Sequence, residues 1–158
     1  PDKDHLHHQL LKMKFSTKLS DAVHVMAFIV INPTMDLSST AIAKSIHTNP
    51  GYVRQLMMLL KKAGLLSGTR GKAKPVLLRE PEKISLLDVY RAIEGSKPLL
   101  HLDTHTNPEC AAGVNIQLAL QRYYDEIQQT AEREMEQITL ADIIREYYSR
   151  LETGESLY

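Results

Sequence analysis

Three helical patterns, a tight turn before the third, and a cation-rich hairpin follow one another between residues 19 and 79, and few folds accept that order. Residues 19–31, LSDAVHVMAFIVI, put Val23, Ala27, Val30 and Ile31 at inward helical spacing, with Ser20 or Asp21 as the expected N-cap, and Asn32-Pro33 ends the run. Residues 40–46, TAIAKSI, predict a second, short helix with Ser38 or Ser39 as its cap and Ile42, Ala43 and Ile46 on one face. His47-Thr48-Asn49-Pro50 is a turn. Asn49 caps a third helix and Pro50 takes its first position, where a missing N–H costs nothing; the helix runs to Ala63 and stops at Gly64. This is the order of a helix-turn-helix.

The third helix has two faces. Val53, Leu56, Met57, Leu59 and Leu60 supply apolar rows, while Tyr52, Arg54, Gln55, Met58 and Lys61 or Lys62 can lie outward. Arg and Gln side chains can bond base edges in a major groove, so the polar set suits a helix that reads DNA. Leu65-Leu66-Ser67 and Val76-Leu77-Leu78-Arg79 then predict two strands around a Gly-flanked basic loop, GTRGKAKP. Arg70, Lys72 and Lys74 stand there among small residues that let the backbone approach phosphates closely. The plainer reading of the same segment is a solvated hairpin turn.

Charge sharpens the choice. Between residues 13 and 79 there are ten Lys or Arg against two acids, a net of about +8, and from residue 80 onward seven against fifteen, about −8. A formal charge of zero therefore hides a basic half and an acidic half. That asymmetry is the electrostatic footprint expected of a domain that meets a polyanion, with double-stranded DNA as the first candidate.

Downstream, residues 84–95 predict a helix capped by Ser85 and closed by Gly95, completing a winged helix-turn-helix domain over residues 13–95. Residues 96–113 carry two prolines, two histidines and Cys110 with little periodicity, and read as a loop. A long amphipathic helix is expected from about Val114, with Ile116, Leu120, Tyr123 or Tyr124, Ile127, Ala131 and Met135 at three- to four-residue spacing. A last helix follows over residues 140–151 with Thr139 as cap. The expected fold is mainly α with a small β-wing, residues 114–152 being dimerisation helices and 153–158 a tail. A stripe this long must be buried, either inside the subunit or in a two-fold dimer. The acids at 125, 126, 132, 134 and 136 are expected on its outer face. Residues 1–12 read as a leader or tag ahead of Met13, and the histidines at 5, 7 and 8 go with it.

Several classes are excluded. No apolar run approaches a membrane span, since the stretch from Val23 carries His24 and stops at Asn32-Pro33. No nucleophile–base pair, phosphate-cradling glycine loop or metal-activated water site stands out, so an enzyme is not expected. One cysteine makes no internal disulfide, and a cytoplasmic protein is the simplest expectation. His101, Asp103, His105 and Cys110 can be drawn as a metal site, yet no helical or knuckle spacing supports it, and no metal is expected.

The segment NPGYVRQLMMLLKKAGLL, followed by a basic wing and ISLLDVYRAIEG, resembles the Rrf2 family of bacterial winged-helix transcription regulators. Its members include iron–sulfur, nitric-oxide-sensing and cysteine-metabolism regulators. The resemblance runs over about residues 13–148. It implies a homodimer held by the long C-terminal helix, with DNA bound by the third helix and the wing. By the resemblance, major-groove positions fall on Gly51, Tyr52, Val53, Arg54 and Gln55 and the wing arginine on Arg70; independently of it, Lys44, Lys61, Lys62, Arg70, Lys72 and Lys74 are expected to neutralise phosphates, and Asn49 is a further candidate DNA contact. Cluster-binding members present three cysteines in the loop before the long helix. Here Cys110 stands at the last of those places, with Pro98 and Thr104 at the spacings of the others, so no iron–sulfur cluster is expected. The wing reads GKAKP where many members have Gly-Gly-Tyr, and NPECAAGVNIQ is similar to the cluster-lacking, YwnA-like subgroup.

The expected function is a homodimeric, sequence-specific DNA-binding transcriptional regulator, a repressor, with no small-molecule effector identified. A thiol just before a helix N-terminus favours oxidation chemistry, so Cys110 is a candidate redox sensor; the plainer reading is a small buried side chain. The alternative function is a winged-helix protein-interaction module.

Overall fold

The computed structural model describes residues 16–68 and 74–154. The helices are α1 (Lys18–Ile31), α2 (Ser39–Ile46), α3 (Pro50–Lys62), α4 (Leu86–Glu94), α5 (Ala111–Gln137) and α6 (Leu140–Thr153). Strands β1 (Leu66–Ser67) and β2 (Val76–Leu77) pair antiparallel, Leu66 opposite Leu77 and Ser67 opposite Val76, and a single 3-10 turn (Pro81–Lys83) leads into α4. The architecture is a winged helix with two further helices.

Helical spacing explains the core, but on α1 the buried row is not the expected one: Val23, Ala27, Val30 and Ile31 are only partly buried, and the neighbouring row faces inward. Ala22, Val25, Met26 and Ile29 of α1 recur every three or four residues and face Val53, Leu56, Met57 and Leu60 of α3, with Ile42 and Ala43 of α2, Leu65 and Leu66 at the wing, and Val89 and Ile93 of α4 closing the cluster. Ser38 accepts a hydrogen bond from the Ala41 N–H, opening α2. That helix ends on His47, whose φ of 63° is left-handed and turns the chain sharply toward α3. Gly68, at φ 153°, leaves β1 against the Pro75 backbone, where a side chain would be strained.

Two helix starts and one packing arrangement depart most from expectation. Neither Ser20 nor Asp21 caps α1; the helix begins one turn earlier, with Thr17 at the N-cap position and the Asp21 N–H on the Thr17 carbonyl at 2.9 Å, and the Asp21 carboxylate instead accepts from the Thr17 and Tyr52 hydroxyls at 3.2 and 2.8 Å. Helix α5 begins at Ala111, since Cys110 is its N-cap and its Sγ accepts from the Gly113 N–H at 3.5 Å. Lastly, α6 turns back onto the winged helix. Leu140 joins the α1–α4 core, and α6 packs on α1 and the 3-10 turn.

That return is built from two capping boxes set side by side. Ser85 and Asp88 start α4, Thr139 and Asp142 start α6, and each pair exchanges side-chain and backbone hydrogen bonds. Between them the Leu86 N–H donates to the Ile138 carbonyl at 2.7 Å and the Leu140 N–H to the Ile84 carbonyl at 2.8 Å. Residues 96–110 lie along α5: Gln128 and Gln117 accept the Leu99 and Asp103 N–H groups at 2.9 and 3.3 Å, and Gln128 also donates to the Tyr90 hydroxyl.

Candidate nucleic-acid interface

Helix α3 stands at the surface on the turn His47-Thr48-Asn49. The Asn49 side chain accepts from the Tyr52 N–H at 2.8 Å, and Pro50 is pre-set for the first helical position. Gly51 leaves room for this cap, since a Cβ there would sit 3.2 Å from the Asn49 side-chain Oδ1. Pro50 has no N–H and the Tyr52 and Val53 N–H groups bond Asn49, so the Gly51 N–H is the first-turn donor that would meet a phosphate.

Two hydrogen bonds hold the helix-turn-helix from behind. His24 of α1 meets the Ser45 hydroxyl of α2 at 2.8 Å, and the Tyr52 hydroxyl of α3 donates to Asp21 of α1 at 2.8 Å. Tyr52 is half-buried against the core, and burial, followed by the Asp21 bond, pushes its pKa up to about 12. The neutral phenol is therefore the form the fold favours. Its contribution is complete below about pH 10 and fades as pH rises through about 12. An ultraviolet titration should show one tyrosine ionising near 12, and Tyr52→Phe should remove that step; a titration with the step intact would show that Tyr52 lacks this partner.

The outer face of α3 carries Arg54, Gln55, Met58, Lys61 and Lys62, all exposed. Val53, included among the major-groove positions by resemblance, is 0% exposed and packs in the core, so it is withdrawn from the interface. Tyr52 is likewise turned to α1, its hydroxyl already engaged, and serves to orient α3. Met58 is exposed on the same face, and its seven-residue spacing from Gly51 marks that position in the sequence.

Lys44, in the last turn of α2, and Lys74, two residues before β2, are exposed. The Lys74 ammonium donates to the Met35 carbonyl at 3.5 Å. Asp36 lies near both lysines, and its carboxyl is held below the usual range chiefly by the Ser38 N–H. Arg70 and Lys72 lie outside the described residues. Cys110 is exposed at the N-cap of α5, far along the chain from α3. His105 Nδ1 lies 3.4 Å from Asp103, but no group of three or more His, Cys, Asp or Glu with metal-holding geometry occurs among the described residues. No helix among the described residues is long and apolar enough to cross a membrane.

Comparison with known proteins fits this geometry. The family model Rrf2, described as an iron-dependent transcriptional regulator, matches residues 15–146. YwnA of Bacillus subtilis (strain 168), a candidate HTH-type transcriptional regulator by name, is 34% identical over 133 residues, which take in 84% of this chain and 98% of YwnA. A crystal structure of a candidate DNA-binding protein is similar at a TM-score of 0.65 and 35% identity, over 80% of this chain and 98% of that one. T. potens IscR gives 0.62 and 26%, over 87% and 90%.

Proposed function

The chain belongs to the Rrf2 family of transcriptional regulators, non-enzymatic DNA-binding proteins, and we propose that it acts as a homodimeric cytoplasmic repressor reading an inverted-repeat operator. One observation carries the DNA-reading part: opposite its buried row, α3 presents Arg54 and Gln55 beside Lys61 and Lys62 on one exposed face. Arg54 and Gln55 reach base edges, while Lys44, Lys61, Lys62 and Lys74, with Arg70 and Lys72 of the wing tip, neutralise phosphates. Asn49 and the side-chain-free Gly51 bring the N-terminal end of α3 against the backbone. Dimerisation places two copies of α3 about one turn of DNA apart, and occupancy of a promoter then represses without any further chemistry.

The exposed apolar row of α5 supports the dimer. Ile116, Tyr123 and Ile127 are 63%, 56% and 49% exposed, and Arg122 is the one charge in the thirteen residues 111–123. No iron–sulfur cluster is needed in this scheme. Cys110 is its proposed input, because the exposed thiol is also the cap of α5. A peroxide would take the thiolate at one oxygen, release hydroxide and leave a sulfenic acid, and the altered sulfur would loosen the first turn of the dimerising helix.

A genome-fragment binding selection at two salt concentrations, with and without peroxide, tests the reading. One inverted repeat should emerge, bound about 10³–10⁵-fold more weakly at 200 than at 50 mM salt if about six to ten phosphates are neutralised. Arg54→Ala should relax preference at one base pair by about 1–3 kcal/mol. Peroxide should release the wild type but not Cys110→Ser; equal release of both would remove Cys110 as sensor. Absence of any enriched motif would make the domain a protein-interaction module instead.

A further inference from the structure

We propose that Met58 is a specificity residue, reading the C5-methyl group of one thymine in each half-site. The inference rests on α3 being the base-reading helix and adds a contact of a different chemistry. Met58 is 62% exposed, and no other exposed large hydrophobic side chain occurs on α3 among the described residues. At 3.6 residues per turn it projects about 40° from Arg54 and about 60° from Gln55, between the two, and about 20° from Gly51. Lys61 and Lys62 flank it one turn on. The one apolar side chain of this face is thus centred on it, among the groups that would draw DNA in.

In the major groove of B-DNA the thymine methyl is the one apolar feature that a base edge offers. A methionine suits it, because the thioether chain is long, unbranched and polarizable. Four residues of helix are about 6 Å, close to two base-pair steps of about 3.4 Å. The thymine therefore lies within about two base pairs of the base that Arg54 reads. Polar Lys or Gln at position 58 would add phosphate or base hydrogen bonding and lose this discrimination.

Deoxyuridine differs from thymidine only by that methyl. Each thymine of the selected operator is replaced in turn by deoxyuridine, and affinities are measured for the full chain, Met58→Ala, Met58→Leu and Arg54→Ala. At one thymine per half-site the replacement should weaken the full chain about fourfold, the effect of returning one methyl group to water. The same replacement should leave Met58→Ala unchanged and still weaken Met58→Leu. Deoxyuridine that weakens the full chain and Met58→Ala alike, or that has no effect at any position, overturns the proposal. If Arg54→Ala weakens all sequences equally, α3 fails as the base reader; if the Arg54 preference stands and no methyl coupling appears, only the Met58 contact fails.

Discussion

Replacing Ile116 and Ile127 together by glutamate should give a folded monomer whose operator affinity is about 10²–10⁴-fold below that of the unaltered protein. Both side chains lie on one row of α5, eleven residues apart, and both are exposed in the subunit, so neither supports the winged-helix core. A carboxylate on each face of a two-fold interface would have to be buried opposite another, at a cost that far exceeds the apolar area retained. Losing the dimer makes each half-site contact a separate event and removes the effective concentration that the second recognition helix enjoys, which sets the size of the loss. Sedimentation velocity reads the mass, circular dichroism the retained helix, and a half-site titration the affinity of the monomer. A double variant that remained dimeric would show that the α5 row is not the interface. A monomer with full operator affinity would show that the protein does not read an inverted repeat as a pair.

The winged helix was legible because its determinants are local. Asn49-Pro50, Gly64, the capping Ser38, Ser85 and Thr139, and the three- to four-residue apolar spacing fix helix ends and the buried face of α3 within a few residues of themselves, whereas on the nearly all-apolar α1 two rows compete and the one expected inward, Val23, Ala27, Val30 and Ile31, is only partly buried. Arg54, Gln55, Lys61 and Lys62 were legible on the same ground, as the complement of a buried row. What the sequence concealed are contacts between distant segments. Nothing local says that Tyr52 reaches back 31 residues to Asp21, so it reads as an outward polar residue, and Asp21 reads as a cap rather than as its partner. Val53 was assigned to the interface by analogy of position although its spacing with Leu56 and Leu60 already marked it as core. The return of α6 was concealed too, because its apolar pattern does not distinguish a partner subunit from its own domain; the bridge between Ser85 and Thr139 decides it.

That bridge makes Leu140→Ala the substitution with the largest expected effect on stability, about 2–5 kcal/mol. Leu140 is 2% exposed, at the point where α6 meets the core shared by α1, α3 and α4, and its N–H is fixed on the Ile84 carbonyl. Held by paired backbone bonds and two capping boxes, the site cannot collapse readily around a missing isobutyl group, so the cavity term adds to the lost transfer energy. Against a total stability of about 5–15 kcal/mol for a domain, such a loss shifts the urea midpoint strongly while the slope stays constant. The consequence reaches past stability. The last residue of α5 is one position from the Ile138 carbonyl that accepts the Leu86 N–H, so this clasp carries the geometry of the long helix to the helix-turn-helix. At temperatures where Leu140→Ala remains folded, affinity for the whole operator should fall more than affinity for one half-site. Equal losses on both would mean that α5 and the DNA-reading face are joined without this clasp, and a stability loss under about 1 kcal/mol would mean that α6 is not part of the core.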